Sequence, residues 1–174
     1  MDQREEREYE DFTAYFEARR DAVRRSAYLL CGDWHRADDL TQTAFVALHR
    51  RWYKIRDRGA LDAYVRRTLV RAAIDESRRP WRRERFTDDV PDVPAGPGDV
   101  GDSVSIRHAL LAALRRVPPR QRAVLVLRFL DDLDVSDTAA ALKCSEGTVK
   151  SQTARGLAAL RAELGDAVDD LRPA

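Results

Sequence analysis

Cysteine is scarce: Cys31 and Cys144 lie far apart, outside any Cys-x-x-Cys or Cys/His cluster. Neither a disulfide framework nor zinc ligation is therefore indicated, and a reduced cytosolic setting fits best. No apolar run approaches the roughly 18 residues that span a bilayer, and the stretch Met1–Glu10 is strongly charged. The sequence thus predicts a soluble cytoplasmic protein without membrane insertion. A glycine-rich phosphate loop is missing, as is a Ser or Cys nucleophile beside a base, and His35, His49 and His108 stand isolated. Period-two alternation is absent too, so no strand is expected. Nor does one sign of charge dominate: 35% of residues are charged, yet the net charge is +1.

Helical periodicity fills the chain instead. Phe12, Phe16, Val23, Ala27 and Leu30 recur at three- and four-residue steps along one helix, which Cys31-Gly32-Asp33 stops. A second helix is expected from His35 to Trp52, with Leu40, Ala44, Phe45, Leu48 and Trp52 inward. Asp38 and Asp39 lie in its first turns, where the helix dipole favours negative charge. After a charged loop from Lys54 to Gly59, a third helix from Ala60 to Arg79 buries Leu61, Val65, Leu69 and Ala72. Its outer positions Arg66, Arg67 and Arg71 run on into Arg78, Arg79, Arg82, Arg83 and Arg85 around Trp81, a basic patch containing an aromatic residue.

From Thr87 to Ser103 the composition turns to Asp, Pro, Gly and Val without Lys or Arg, as a flexible acidic linker would. With 44% apolar residues, the chain can form either one body or two of about 70 residues each. The shift favours two: an all-α arrangement of a first helical domain over 8–86, a linker over 87–103 and a second helical domain over 104–165. In the second domain Ile106, Leu110, Leu111 and Leu114 mark a helix ending before Val117-Pro118-Pro119. Pro119 suits the first position of the next helix, whose apolar stripe is Val124, Leu127 and Leu130. Asp134 can cap a short helix to Leu142, with Asp137 at the capping-box position.

The strongest local pattern is Asp134–Leu164. A short alanine-rich helix (Ala139, Ala140, Ala141), the turn Lys143-Cys144-Ser145 and a Ser145-capped helix with Val149, Thr153, Leu157, Leu160 and Leu164 inward make a helix-turn-helix. Thr148, Lys150, Ser151, Gln152 and Arg155 would face outward, able to reach phosphates and base edges. Arg120, Arg122 and Arg128 add an electrostatic footprint on the preceding helix. An ordinary helical hairpin with a solvated face satisfies the same spacing.

These residues resemble the extracytoplasmic-function sigma factors over nearly the whole chain. The run Pro119-Arg120-Gln121-Arg122-Ala123-Val124-Leu125-Val126-Leu127-Arg128 is similar to the start of the family's region 4. Ser145-Glu146-Gly147-Thr148-Val149-Lys150-Ser151 is similar to the opening of its recognition helix, and Ala37-Asp38-Asp39-Leu40-Thr41-Gln42-Thr43-Ala44-Phe45 resembles its region 2 signature.

The resemblance implies a region 2 bundle and a region 4 helix-turn-helix, with bacterial RNA polymerase core and promoter DNA as partners, and an anti-sigma factor as a further one. Asp38, Asp39, Leu40, Gln42 and Phe45 would hold the β′ clamp helices, with the β subunit also contacted. Lys54, Arg56, Tyr64, Arg67, Arg71, Asp75, Arg78 and Arg79 would melt and capture −10 DNA. Arg120, Arg128, Thr148, Lys150, Ser151, Gln152 and Arg155 would read the −35 duplex. Two departures, Arg71 where many relatives carry Asn and Gln152 where some carry Arg, leave base-level specificity open. Tyr64 could equally be a core aromatic.

Two other functions fit parts of the sequence. Asp38, Asp39, Asp75 and Glu76 invite a metal-dependent enzyme, but adjacent aspartates on a helix diverge by about 100° and no His joins them. Neither enzymatic activity nor a cofactor is expected. An autonomous helix-turn-helix regulator of duplex DNA would need a ligand pocket or a dimer seam in its first domain.

Overall fold

The computed structural model describes residues 3–79 and 101–165, and all its regular elements there are helical. Most of the expected linker, together with Trp81, Arg82, Arg83 and Arg85, lies outside the described residues. Helix α1 spans Gln3–Cys31, α2 Trp34–His49 and α3 Leu61–Ser77. Two short tight turns, Trp52–Lys54 and Arg58–Ala60, join α2 to α3. Beyond the linker come α4 (Gly101–Arg116), α5 (Pro119–Leu125), α6 (Val135–Leu142) and α7 (Glu146–Leu164).

The helix ends follow their local chemistry. Gly32 takes a left-handed conformation (φ +72°) that closes α1, its N–H reaching the Tyr28 carbonyl at 2.7 Å. Asp33 then caps α2 by accepting from the Arg36 N–H at 2.8 Å. Helix α2 stops at His49, short of the expected Trp52, but Trp52 still reaches the core from the following turn.

The inner faces of the first three helices close on Ala27, Leu40, Ala44, Phe45, Leu48, Leu61, Val65 and Leu69, all buried. Aromatic rings seal the end of this bundle: Phe12 stands edge-on to Trp52 at 5.2 Å and Phe16 to Phe45 at 4.8 Å. Polar contacts pin α1 to α3, where Tyr15 Oη and Arg19 Nη2 each donate to the Asp62 carboxylate at 2.7 Å. Burial and the Asp62 carboxylate push the Tyr15 phenol well above its usual range.

In the second half, α5 runs into a wide turn over Val126–Leu130 in which the Asp131 N–H reaches back five residues to the Val126 carbonyl at 2.9 Å. The wider winding shifts the helical phase. Val126 and Leu127 stay buried, while Leu130, expected on the apolar stripe, is 53% exposed beside an exposed Phe129. Asp134 caps α6 by accepting from the Asp137 N–H at 2.7 Å, and Ser145 caps α7 by accepting from the Thr148 N–H at 3.1 Å. Between them Lys143 turns left-handed (φ +52°) and the Cys144 N–H bonds the Ala139 carbonyl at 3.1 Å, which ends α6 and aims α7 across it. Ala139 and Ala141 pack inward at this crossing, whereas Ala140 faces out.

The two halves pack on each other. Leu111, Leu114, Val117 and Leu125–Leu127 share one buried apolar cluster with the core of α1–α3, and α6 lies against α3. Truncating Leu48→Ala or Leu127→Ala, both fully buried, is expected to cost about 2–5 kcal/mol each. Urea unfolding followed by circular dichroism should show that loss within a single cooperative transition. Two resolved transitions, or losses below about 1 kcal/mol, would contradict a core common to both halves.

Candidate nucleic-acid and docking surfaces

Helix α2 divides its residues by period. Asp38, Asp39 and Gln42 are exposed on its outer face, whereas Leu40 and Phe45 point inward, 4% and 3% exposed. This corrects the expectation that Leu40 and Phe45 touch a partner: both belong to the stripe with Ala44 and Leu48 that closes on α1 and α3. The apolar side chain exposed on the outer face is Val46, 43% exposed and one turn beyond Gln42. Its spacing of four from Gln42 and seven from Asp39 was the available sequence signal.

Asp38 is held by Arg24 of α1, whose Nε and Nη2 both donate to the carboxylate, the latter at 3.2 Å. That guanidinium also lies over the Trp34 ring at 4.3 Å. The Arg24 hydrogen bond keeps the Asp38 carboxyl below its ordinary range. No sequence pattern pairs residues 24 and 38, which meet only because α1 and α2 are antiparallel neighbours. Between these helices runs an open groove of about 900 Å³, with Phe12, Phe16, Phe45 and Val46 among its apolar walls and Arg20, Asp38 and Gln42 on its rim.

On α3, Tyr64 is half-buried and its hydroxyl donates to the Ala47 carbonyl at 3.4 Å, so the ring bridges α2 and α3. The Arg67 guanidinium sits 5.6 Å from that ring, which places a cation and an aromatic face side by side. Arg71 is half-buried, and its Nη2 has no acceptor among the described residues. At the end of the helix Asp75, Arg78 and Arg79 are exposed, Asp75 lying 3.9 Å from Arg78, and Lys54 and Arg56 are exposed in the preceding segment. The carboxylates considered for a metal do not converge: Asp38 pairs with Arg24, and Glu76 with Arg36 at 3.5 Å.

Helix α7 exposes Lys150, Ser151 and Arg155 and half-exposes Thr148 and Gln152. The Thr148 hydroxyl shares a 2.9 Å hydrogen bond with Ser145, and Ser151 Oγ donates to the Thr148 carbonyl at 3.0 Å. These local bonds tidy the first turns and leave Lys150, Gln152 and Arg155 directed outward. Arg120 is exposed at the start of α5. Arg128 is half-buried and donates from Nη1 to the Leu133 carbonyl at 2.6 Å, holding the loop that leads into α6.

Arg122 departs from expectation. It is 6% exposed and donates to three carbonyls: Leu30 at 2.9 Å, Arg115 at 2.5 Å and Val117 at 3.0 Å. A group so engaged cannot belong to a phosphate-binding footprint. Sequence reasoning could not separate it from Arg120 because both lie in one cationic run. Burial pulls its pKa down to about 10, which leaves it protonated at neutral pH.

An all-helical protein with a capped helix-turn-helix has the architecture of a DNA-binding protein, and here it also carries a separate acidic, Gln-bearing helix face. Comparison with known proteins narrows the class. Residues 15–83 match Sigma-70 region 2 and residues 107–160 match Sigma-70, region 4. The chain is similar to the RNA polymerase sigma-E factor of Streptomyces coelicolor, 40% identical over 157 residues that cover 88% of this chain and 86% of that one. It is also 33% identical over 146 residues to the ECF RNA polymerase sigma factor SigE of Mycolicibacterium smegmatis, covering 81% and 56% of the two chains. The sigma factor RpoE from Bartonella quintana, solved in complex with the anti-sigma factor NepR, shares the fold. Its TM-score is 0.72 at 23% identity, over 88% of this chain and 96% of that one. The chain belongs to the extracytoplasmic-function sigma factors of the sigma-70 family.

Replacing Arg122 by Met leaves buried carbonyls without a donor and is expected to lower stability by about 1–3 kcal/mol. Lys at this position should recover only part of the loss, since one ammonium cannot span three acceptors in the plane of a guanidinium. Thermal unfolding of the two variants checks both statements, and a neutral Arg122→Met would show that the bonds contribute nothing net.

Proposed function

We propose that this chain is an alternative sigma factor that binds core RNA polymerase and directs it to a particular set of promoters. The observation that carries the reading is the presence, in one chain matched along most of its length by sigma factors, of two distinct surfaces. One is the acidic outer face of α2 and the other the capped reading helix α7.

In this mechanism Asp38, Asp39 and Gln42 meet the β′ clamp helices, with Val46 as the apolar contact in place of Leu40 and Phe45. Carboxylates and an amide around one apolar residue suit a basic helical partner, where charge steers encounter and apolar contact slows release. Along α3, Tyr64 and Arg67, with Lys54, Arg56, Arg71, Asp75, Arg78 and Arg79, form the −10 surface. Stacking and a cationic track are what single-strand capture requires. The α7 face lies in the major groove of the −35 duplex, where Gln152 and Arg155 reach base edges, and Arg120, Thr148, Lys150 and Ser151 hold phosphates. Arg128 supports that face from the loop side. Tethering both DNA-binding halves to polymerase raises their effective concentration, so each can be weak alone.

The chain itself catalyses nothing in this scheme; the bond-forming chemistry belongs to the polymerase, in the bacterial cytoplasm. An anti-sigma protein is a further partner. No described helix is long and apolar enough to cross a membrane.

Transcription in vitro from a promoter-fragment library tests the assignment, comparing the native chain with an Asp38→Arg/Asp39→Arg variant. Discrete start sites that need the protein and fall at least tenfold with the variant are expected. A protein that shifts duplex DNA alone and fails to bind core would instead be an autonomous regulator.

For the reading helix, Lys150→Ala should weaken −35 binding evenly across sequences and flatten the salt dependence by about one charge. Gln152→Ala should relax preference at one base pair by about 1–3 kcal/mol. Binding titrations of the polymerase holoenzyme at several salt concentrations separate the two effects.

A further inference from the structure

Asp38 and Asp39 are neighbours on the exposed side of α2, yet only one of them is unopposed. Successive positions on a helix diverge by about 100°, and Asp38 is the one that turns toward α1 and lines the groove between the two helices. There Arg24 meets it with two donors, Nε on one carboxylate oxygen and Nη2 on the other at 3.2 Å. The guanidinium is backed by the Trp34 ring at 4.3 Å, and Trp34 is itself stacked at 4.1 Å on the buried Tyr28. Arg24 is thus gripped by a carboxylate at its edge and by an aromatic pair at its face, and swinging aside would give up both. The Asp39 carboxylate is exposed and has no cation within salt-bridge distance among the described residues.

We propose that Arg24 is a built-in competitor for the partner that docks on α2. In the free chain it occupies Asp38, so docking exchanges an internal ion pair for an intermolecular one, whereas Asp39 meets the partner unopposed. The inference rests on the docking reading of α2, and the partner it concerns is the basic helical surface assigned there. Two opposing effects decide the sign. Arg24 holds the Asp38 carboxylate in one orientation, which spares the partner part of the cost of ordering a side chain. Against this stands a full positive charge beside the point where a second one has to settle, acting both by repulsion and by occupying the oxygens. Aspartate is short and has little rotamer freedom to lose, so the charge prevails and Arg24 lowers affinity. The Arg24 hydrogen bond that keeps the Asp38 carboxyl below its ordinary range reflects the same competition, because any arriving cation has to match a pairing already made. The face therefore holds polymerase less tightly than its two carboxylates would allow.

Binding of the N-terminally fluorescein-labelled chain to sigma-free core polymerase tests this, with native, Arg24→Gln, Asp38→Asn and the double variant compared. Arg24→Gln should bind core about two- to fivefold more tightly, the scale of an exposed ion pair, chiefly through faster association that depends more steeply on salt. Asp38→Asn should weaken binding at least about threefold more in the Arg24→Gln background than in the native one. Arg24→Lys, which keeps the charge and loses the planar fork, should fall between native and Arg24→Gln.

A substitution that merely disturbed packing would lower affinity and leave the salt dependence of association where it was. Unchanged or weaker binding by Arg24→Gln overturns the proposal, as does an equal cost of Asp38→Asn in both backgrounds. If the native chain binds core and these differences fail to appear, only the competitor is lost. If the native chain does not bind core at all, the sigma reading falls and the competitor with it.

Discussion

Arg122 occupies the place where three problems of this fold coincide. A helix leaves its last carbonyls without intrahelical donors, and when such an end is buried water cannot supply them. Helix α1 ends against α4 and α5 with the Leu30 carbonyl turned inward, and α4 ends nearby with the Arg115 carbonyl, followed by that of Val117. One guanidinium satisfies all three, and its planar fork is the side chain able to do so. The cost is a buried cation whose hydrogen-bond partners among the described residues are all carbonyl oxygens. Around this point Leu30, Leu111, Leu114, Val117 and Leu125 merge the two halves into one apolar cluster.

That seam governs which surfaces are available. Because α1 packs against both α2 and the C-terminal half, the outer face of α2 is left exposed. The helical period assigns Asp38, Asp39, Gln42 and Val46 to it and commits Leu40 and Phe45 to the core. Arg24 then restrains Asp38 through two donors, a local ion pair that a cationic partner must share or replace. As an exposed pair it contributes little to stability, and its effect is on the geometry of the carboxylate.

The face of α3 serves two ends. Its arginines suit nucleic acid, and Arg66 also faces Asp131 of the C-terminal half at 3.6 Å. The recognition helix is differently placed. Its caps and the left-handed turn at Lys143 set it within the C-terminal half alone, so its reading face is built before any partner arrives.

Period-3.6 patterning, caps and helix stops were legible in the sequence, because each depends on residues within a turn or two of one another. The all-helical class, the Asp134 and Ser145 caps, the inward set of α2 and the outward Lys150, Ser151 and Arg155 all follow from such local relations. The wide turn at Val126–Leu130 was not legible: a change of winding has no residue signature here, and it moved Leu130 out of the stripe. Nor could the linear chain distinguish Arg122, buried at a junction of helix ends, from the exposed Arg120 two positions away. Contacts of this kind, like Ser26 with Asp131, join residues separated by roughly half the chain or more. Packing alone decided them, because the neighbours that fix a charge's environment come from helices whose positions no local rule specifies.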